Sequence, residues 1–339
     1  MKTALILNAI CPDIGGVLIR GPSGTAKSTA VRALLPLLPP IEVVADCPFQ
    51  CHPDNPSQQC GSCRTRIDRG EVLPLIRRPR RLVNLPLNAT EDRVAGTIDL
   101  TRAMKEGVKA LEPGILAQAH RGILYIDEIN LLDDHIVDIL LDAAALGVNI
   151  VEREGISVSH PAKFLLVGTM NPEEGELRPQ IADRIGLQVE VHALMNKPQR
   201  VEVIKRREAF LADPVGFDFI YQGYQEKLRS SMEHAIALLP RVTVSDRFYE
   251  AIAGLTLKAE VPSHRADLAI FQCARTLAAV EGRTTVETKD ILEAATLALG
   301  HRLPYDPFVS GPHLDPNLLK RYLEDILEEP ITKKKTTLM

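Results

Sequence analysis

Apolar and polar positions along the first part of the chain set out an alternation of helices and strands. Ala4 to Ile10 has helical spacing and ends near Pro12, and Gly16-Val17-Leu18-Ile19 is a short apolar run of strand type. Ser28 to Leu38 is helical and closes at Pro39-Pro40, after which Ile41 to Ala45 is β-branched and extended. The Pro, Asn, Gln, Ser and Cys content between Asp46 and Arg69 predicts a long loop, which inside a compact domain is usually functional or separately stapled. Arg81 to Leu87 is extended, Thr101 to Lys109 has helical spacing, and Gly114 to His120 leads into another helix. Gly122-Ile123-Leu124-Tyr125-Ile126 predicts a buried parallel strand whose C-terminal end projects Asp127 and Glu128. Asp134 to Ala145 is an amphipathic helix, and Val148 to Val158 alternates around Glu154-Gly155 as a β-hairpin. Phe164 to Gly168 is a further apolar strand that runs into Asn171, Arg178 to Ile185 is helical, and Gln188 to Leu194 is the last strand-like run.

From Lys197 onward no strand signal survives. Pro198 to Phe210 is a basic helix, and Ala212-Asp213-Pro214-Val215-Gly216 breaks the chain. Tyr224 to Leu239, Ser245 to Ala259, Ser263 to Glu281 and Glu287 to Leu299 read as a helical bundle, followed by a final helix at Asn317 to Leu327. The organisation expected is an α/β domain with a parallel sheet over residues 1–196, carrying a Cys-rich loop at 46–69 and hairpin inserts. A linker at 197–223, an all-α domain at 224–330 and a polar tail at 331–339 complete the chain.

Composition narrows the class. The 339 residues are 45% hydrophobic and 25% charged, as in an ordinary globular protein. Net charge is −4, so no global field draws the chain to nucleic acid or an anionic membrane. The basic runs Arg77-Arg78-Pro79-Arg80-Arg81 and Lys333-Lys334-Lys335 are short and read as solvated surface. With no stretch of about 18 apolar residues and no secretory leader, no membrane span is expected and the predicted location is cytoplasmic.

The chemistry begins at Gly21-Pro22-Ser23-Gly24-Thr25-Ala26-Lys27-Ser28, set between a strand and a helix. That context makes it a phosphate-binding loop: backbone N–H groups surround phosphate, Lys27 stands for the lysine on the β/γ oxygens, and Ser28 for the hydroxyl on Mg²⁺. Ala26 replaces the second glycine of the pattern; it is expected in the helical φ/ψ that opens the next helix. Asp127 would join the Mg²⁺ shell, Glu128 would polarise a water, and Asn171 is suited to holding that water. Cys47, Cys51, Cys60 and Cys63 form a C-x3-C-x8-C-x2-C cluster, read either as ligands of Zn²⁺ or another soft metal or as free loop thiols.

Taken together, the phosphate loop, the strand ending Asp-Glu, the strand ending in Asn, the Asp183-Arg184 helix and the trailing bundle resemble an AAA+ ATPase. The runs Asn84 to Asp99, Arg121 to Asp138, Val151 to Ser157 and Asn171 to Gln180 closely resemble the ATPase subunit of magnesium chelatase, over most of residues 1–300. The resemblance implies an AAA+ P-loop core with an all-α lid, binding ATP and Mg²⁺. It implies that Lys27 and Ser28 belong to Walker A, Asp127 and Glu128 to Walker B, and Asn171 to sensor 1. By the same resemblance Arg184 matches the arginine finger and Arg265 the sensor 2 arginine of the lid. Residues 88–100 and 148–158 match the family's two inserts. It further implies a ring, commonly a hexamer, working with an integrin-domain AAA+ subunit and a large porphyrin-binding subunit. The expected activity is ATP hydrolysis driving Mg²⁺ insertion into protoporphyrin IX. Ala26 and the cysteine cluster depart from photosynthetic magnesium chelatases and resemble chelatase-like ATPases of cobalt insertion into corrinoids. The family's V-G-Q stretch near the adenine has no counterpart ahead of Met1. The alternatives are therefore a cobaltochelatase motor, a remodelling or nucleic-acid-translocating ring, and a nucleotide-dependent scaffold without turnover.

Overall fold

A computed structural model describes residues 1–98, 111–153, 156–303 and 316–328. The helix expected at 101–109, the turn at 154–155, most of the Pro- and Gly-bearing segment after Leu303 and the tail with Lys333–Lys335 lie outside the described residues.

The organising element is a five-stranded sheet in the order β11-β1-β10-β7-β4. Its strands are β1 (Val17–Arg20), β4 (Leu82–Leu85), β7 (Ile123–Ile126), β10 (Leu165–Met170) and β11 (Leu187–Glu190). Every pairing in it is parallel, with Val17 level with Val167 and Leu187, and Leu165 level with Ile123. Successive side chains leave opposite faces of a strand. Accordingly Val17, Ile19, Tyr125 and Val167 enter one core, whereas Leu18, Leu124, Ile126 and Leu166 enter the other.

The first core is covered by α1 (Lys2–Ile10), α2 (Lys27–Leu34) and the helical domain. Helices α4 (Glu91–Ala95), α5 (Ile115–Ala119) and α6 (Asp134–Leu146) cover the second, with α7 (Pro179–Arg184) at its margin. Outside the main sheet, β2 (Ile41–Val44) pairs antiparallel with β3 (Leu75–Arg78), and β5 (Gly96–Ile98) with β6 (Leu111–Pro113). The expected hairpin is present as β8 (Val148–Arg153) and β9 (Ile156–Pro161). Within the Cys-rich segment, expected as loop, α3 spans Gly61–Asp68.

The segment expected as a linker, 197–223, includes the basic helix expected at 198–210. It holds α8 (Lys197–Ala212) and the first part of α9 (Pro214–Leu238). The expected break is the single non-helical residue Asp213, which also starts the next helix: its Oδ1 accepts from the Gly216 N–H at 2.9 Å, and Pro214 occupies a first-turn position where a missing N–H is harmless. The chain ends in α10 (Asp246–Lys258), α11 (His264–Val280), α12 (Thr288–Leu299) and α13 (Pro316–Glu328). The basic run at 77–81 is also not simply solvated. Arg80 donates to the carbonyls of Pro39 and Arg121 at 3.2 and 3.1 Å, and its burial lowers its pKa. No described helix is long and apolar enough to cross a membrane.

Candidate active site

The loop from Gly21 to Ser28 joins the C-terminal end of β1 to α2. This is the end of a parallel sheet where ligands bind. Gly21 is required sterically, because a Cβ there would lie 2.2 Å from the Val191 carbonyl oxygen. Gly24 has φ +77 and open space around it. Lys27 turns its ammonium back into the loop, donating to the carbonyls of Gly21 at 2.6 Å and Pro22 at 3.0 Å, and Thr25 Oγ1 donates to Pro22 at 2.9 Å. Ala26 corrects the expectation made for it. Its φ and ψ are 61 and 27, in the left-handed region, so the loop imposes a glycine conformation on an alanine. A side chain in that region carries a penalty of about 1–2 kcal/mol.

A cleft of about 390 Å³ opens beside the loop, lined by Ser23 to Thr29, Asp127, Glu128 and Thr169 to Asn171. The phosphate loop, the acidic strand end and Asn171 thus share one space. Two further residues hold Asp127, neither of them singled out from the sequence. The Tyr125 hydroxyl donates to its Oδ1 at 2.7 Å and the Thr169 hydroxyl at 2.6 Å. Tyr125 was detectable in principle, since residues two apart share a strand face. Thr169 comes from β10, one place beyond the Gly168–Ile126 pairing. Burial pushes the Tyr125 hydroxyl up to about 12, which keeps it a donor. Glu128 is left-handed, with φ 55, and its N–H reaches Thr169 Oγ1 at 3.2 Å. Asn171 also caps the short turn Pro172–Glu174, accepting from Glu173 N–H at 3.3 Å and donating to Glu174 at 3.3 Å.

Arg184 and Arg265 lie elsewhere. Both line a depression with Asp13, Gly15, Asp142, Gly186 and Arg302. Gly15 precedes β1 and Gly186 precedes β11, so this is the N-terminal end of the sheet, opposite the phosphate loop. Arg184 donates to Asp142 Oδ1 at 2.5 Å, and Arg265 donates to Asp183 Oδ2 at 3.0 Å. Arg265 thus lies at the end of the sheet opposite its own chain's phosphate loop. Sequence reasoning missed the peg beside them. The Arg302 side chain is 2% exposed and caps the carbonyls of Asp183, Ile185 and Gly186 at 2.8, 2.8 and 3.0 Å. His301 adds a contact to the Ile185 carbonyl at 2.8 Å. Partial burial opposes ionisation of Asp183, but hydrogen bonds from Ser263, Arg265 and Arg302 outweigh it and hold the carboxyl below the usual range.

Cys47, Cys51, Cys60 and Cys63 converge, buried, in a cleft distinct from both. The donor set of the first cleft suits MgATP: loop amides, the Lys27 ammonium, the Ser28 hydroxyl and an oriented Asp127.

Comparison with known proteins places the chain among close relatives. The family model for the AAA lid domain matches residues 249–320, and that for magnesium chelatase, subunit ChlI, matches residues 99–184. A magnesium-chelatase subunit ChlI homolog of Methanocaldococcus jannaschii is 54% identical over 97% of this chain and 88% of the relative. The magnesium-chelatase subunit ChlI of Synechocystis is 50% identical over 91% of this chain and 87% of that protein. Among solved structures, the complex between subunits BchI and BchD of magnesium chelatase has a chain 45% identical to this one. It covers 90% of this chain and 93% of that one, with a TM-score of 0.50.

Proposed function

The chain belongs to the magnesium-chelatase subunit ChlI family, and from that premise we propose that it is the ATP-hydrolysing motor of a magnesium chelatase, driving Mg²⁺ insertion into protoporphyrin IX in (bacterio)chlorophyll synthesis. The observation that carries the mechanism is the separation of two half-sites. Phosphate-loop, Asp127, Glu128 and Asn171 groups share one cleft, whereas Arg184 and Arg265 are paired at the opposite end of the sheet. A chain built this way has no charge-stabilising arginine in its own described cleft, and a ring of like chains would supply one from the neighbour.

Bound MgATP would supply the transferable phosphoryl group and the cation that neutralises its oxygens. Lys27 and the loop amides would grip the phosphates, Ser28 and Asp127 would hold the cation, and Tyr125 and Thr169 would keep Asp127 aimed. Glu128, with Asn171 beside it, would align water and draw its proton. Arg184 and Arg265 of the adjoining chain would stabilise developing charge. Because Asp183, Arg265 and Arg302 join α7 to the helical domain, a change at one chain's nucleotide can be passed to that domain as a rigid-body shift. The partners implied are a ring of like subunits, an integrin-domain AAA+ subunit and a large porphyrin-binding subunit.

The test is reconstitution with those two partner subunits. Fluorescence should report ATP-dependent Mg²⁺ insertion into protoporphyrin IX, absent with Glu128→Gln. Co²⁺ insertion into a corrinoid precursor without Mg²⁺ insertion would transfer the motor to the cobaltochelatase reading.

A further inference from the structure

We propose that Cys47, Cys51, Cys60 and Cys63 bind one Zn²⁺ as a tetrahedral tetrathiolate, and that this centre braces the β8–β9 hairpin against the nucleotide-binding core.

The four sulfurs lie within 4.8 Å of one another, with Cys47 Sγ 3.5 Å from Cys51 Sγ and 3.9 Å from Cys60 Sγ. A Zn–S bond of about 2.3 Å in a tetrahedron sets neighbouring sulfurs about 3.8 Å apart. The cage is therefore already close to the size the ion needs. All four cysteines are free thiols, so no disulfide accounts for the clustering. Left-handed backbone at Gln50, with φ 52, folds the chain back so that Cys51 faces Cys47. The Cys60 N–H donates to Cys51 Sγ at 3.1 Å, a contact that favours a thiolate over a thiol. With sulfur as the sole donor type, the site selects a soft or borderline cation and rejects Mg²⁺.

Packing supplies an independent reason. The buried cluster of this segment is Val44, Leu73 and the four cysteines, flanked by Phe49. So small an apolar core does not hold a segment of this length by itself, and short modules of this kind need a metal or disulfide staple. On the rim Arg66 binds Asp46 at 3.0 Å and Glu71 at 2.6 Å, tying α3 to the turn between β2 and the first cysteine.

The turn between Cys47 and Cys51 carries the two residues that leave the module. Phe49 stacks on the His160 ring of β9 at 5.0 Å, and His160 in turn accepts from Asn149 of β8 at 2.9 Å. Gln50 donates to the carbonyls of Gln118 and His120 at 2.9 and 3.2 Å, shortly before β7, the strand that leads into Asp127 and Glu128. Fixing the two cysteines thus fixes both anchors. The centre is structural and takes no part in nucleotide chemistry, so the proposal stands whether or not the motor reading does.

The full chain, purified without chelator, should contain about one zinc per chain, released into a colorimetric chelator as an organomercurial titrates the four thiols. Growth with Co²⁺ should give the visible bands of a tetrahedral thiolate site. On metal release, hydrogen exchange should rise in 148–153 and 156–161 and in 115–121, and stay unchanged in β1. Phe49→Ala should keep the metal and loosen the hairpin alone, which separates bracing from folding failure in cysteine variants. Protein with no zinc and no cobalt spectrum, or with iron in its place, overturns the assignment. Unchanged hairpin exchange on metal release overturns the brace.

Discussion

Arg265 of the helical domain donates to Asp183 of the core at 3.0 Å, which places it one residue away from Arg184 and on the far side of the sheet from the phosphate loop. The two arginines therefore line one depression at that end of the core. Arg184→Ala and Arg265→Ala should each lower ATP turnover steeply, by about 10³-fold or more for Arg184. Either variant mixed with Glu128→Gln should recover turnover, because hybrid rings contain interfaces with an intact cleft facing an intact arginine. Recovery with Arg184→Ala but none with Arg265→Ala would show that Arg265 serves its own chain.

Ala26 sits in a conformation suited to glycine. Ala26→Gly removes a left-handed penalty of about 1–2 kcal/mol and adds about 0.5–1 kcal/mol of unfolded-chain entropy. The variant should be equal or more stable by up to about 1.5 kcal/mol in urea denaturation, with phosphate-loop binding preserved. Destabilisation would mean that the loop uses the alanine methyl.

Tyr125 and Thr169 both donate to one oxygen of Asp127. Thr169→Val keeps the shape and deletes a donor, so Mg²⁺ affinity in the presence of ATP should fall about 10- to 100-fold, as for outer-shell partners of metal ligands. Tyr125→Phe should act in the same direction. Mg²⁺ titration of turnover at saturating ATP measures both, and unchanged half-saturation in the double variant would remove these residues from the metal shell.

His120 is fully buried, and burial pushes its pKa down to about 3. Burial does the same to His301, also to about 3. A lowered folded pKa means that the unfolded chain binds more protons below about pH 6.5, so stability is fully present above that value and falls as the pH drops toward 3. Each histidine should contribute a slope of about 1.4 kcal/mol per pH unit across that window. His301→Gln, which can still donate to the Ile185 carbonyl, should reduce the slope of urea stability against pH by about one proton.

Local chemistry was legible where it depends on neighbours in the chain. The strand, loop and helix around Gly21 to Ser28 and the acidic end at Asp127 and Glu128 appear where periodicity puts them, and the hairpin expected over 148–158 is present with its second strand running on to Pro161. The break expected at Ala212 to Gly216 is present as the single non-helical residue Asp213, but the next helix starts at once rather than near Tyr224, because the Asp213 side chain caps it. Arg80 looked like surface because a guanidinium usually is. Its burial depends on carbonyls of Pro39 and Arg121 that folding brings from 41 residues away in either direction.

By itself, then, the sequence determined the order of elements, the phosphate loop, its acidic partners and the four clustered cysteines, since each is a matter of residues close in the chain. Tertiary structure alone decided the rest: that Ala26 is left-handed, that β2 leaves the main sheet, and that Arg265 faces away from its own cleft. The physical reason is that these features follow from packing between distant apolar faces. Ala266 and Ala269 of α11 share a core with Ile14 and Val17 at the start of β1, and it is this burial that docks the helical domain on the end of the sheet opposite the phosphate loop.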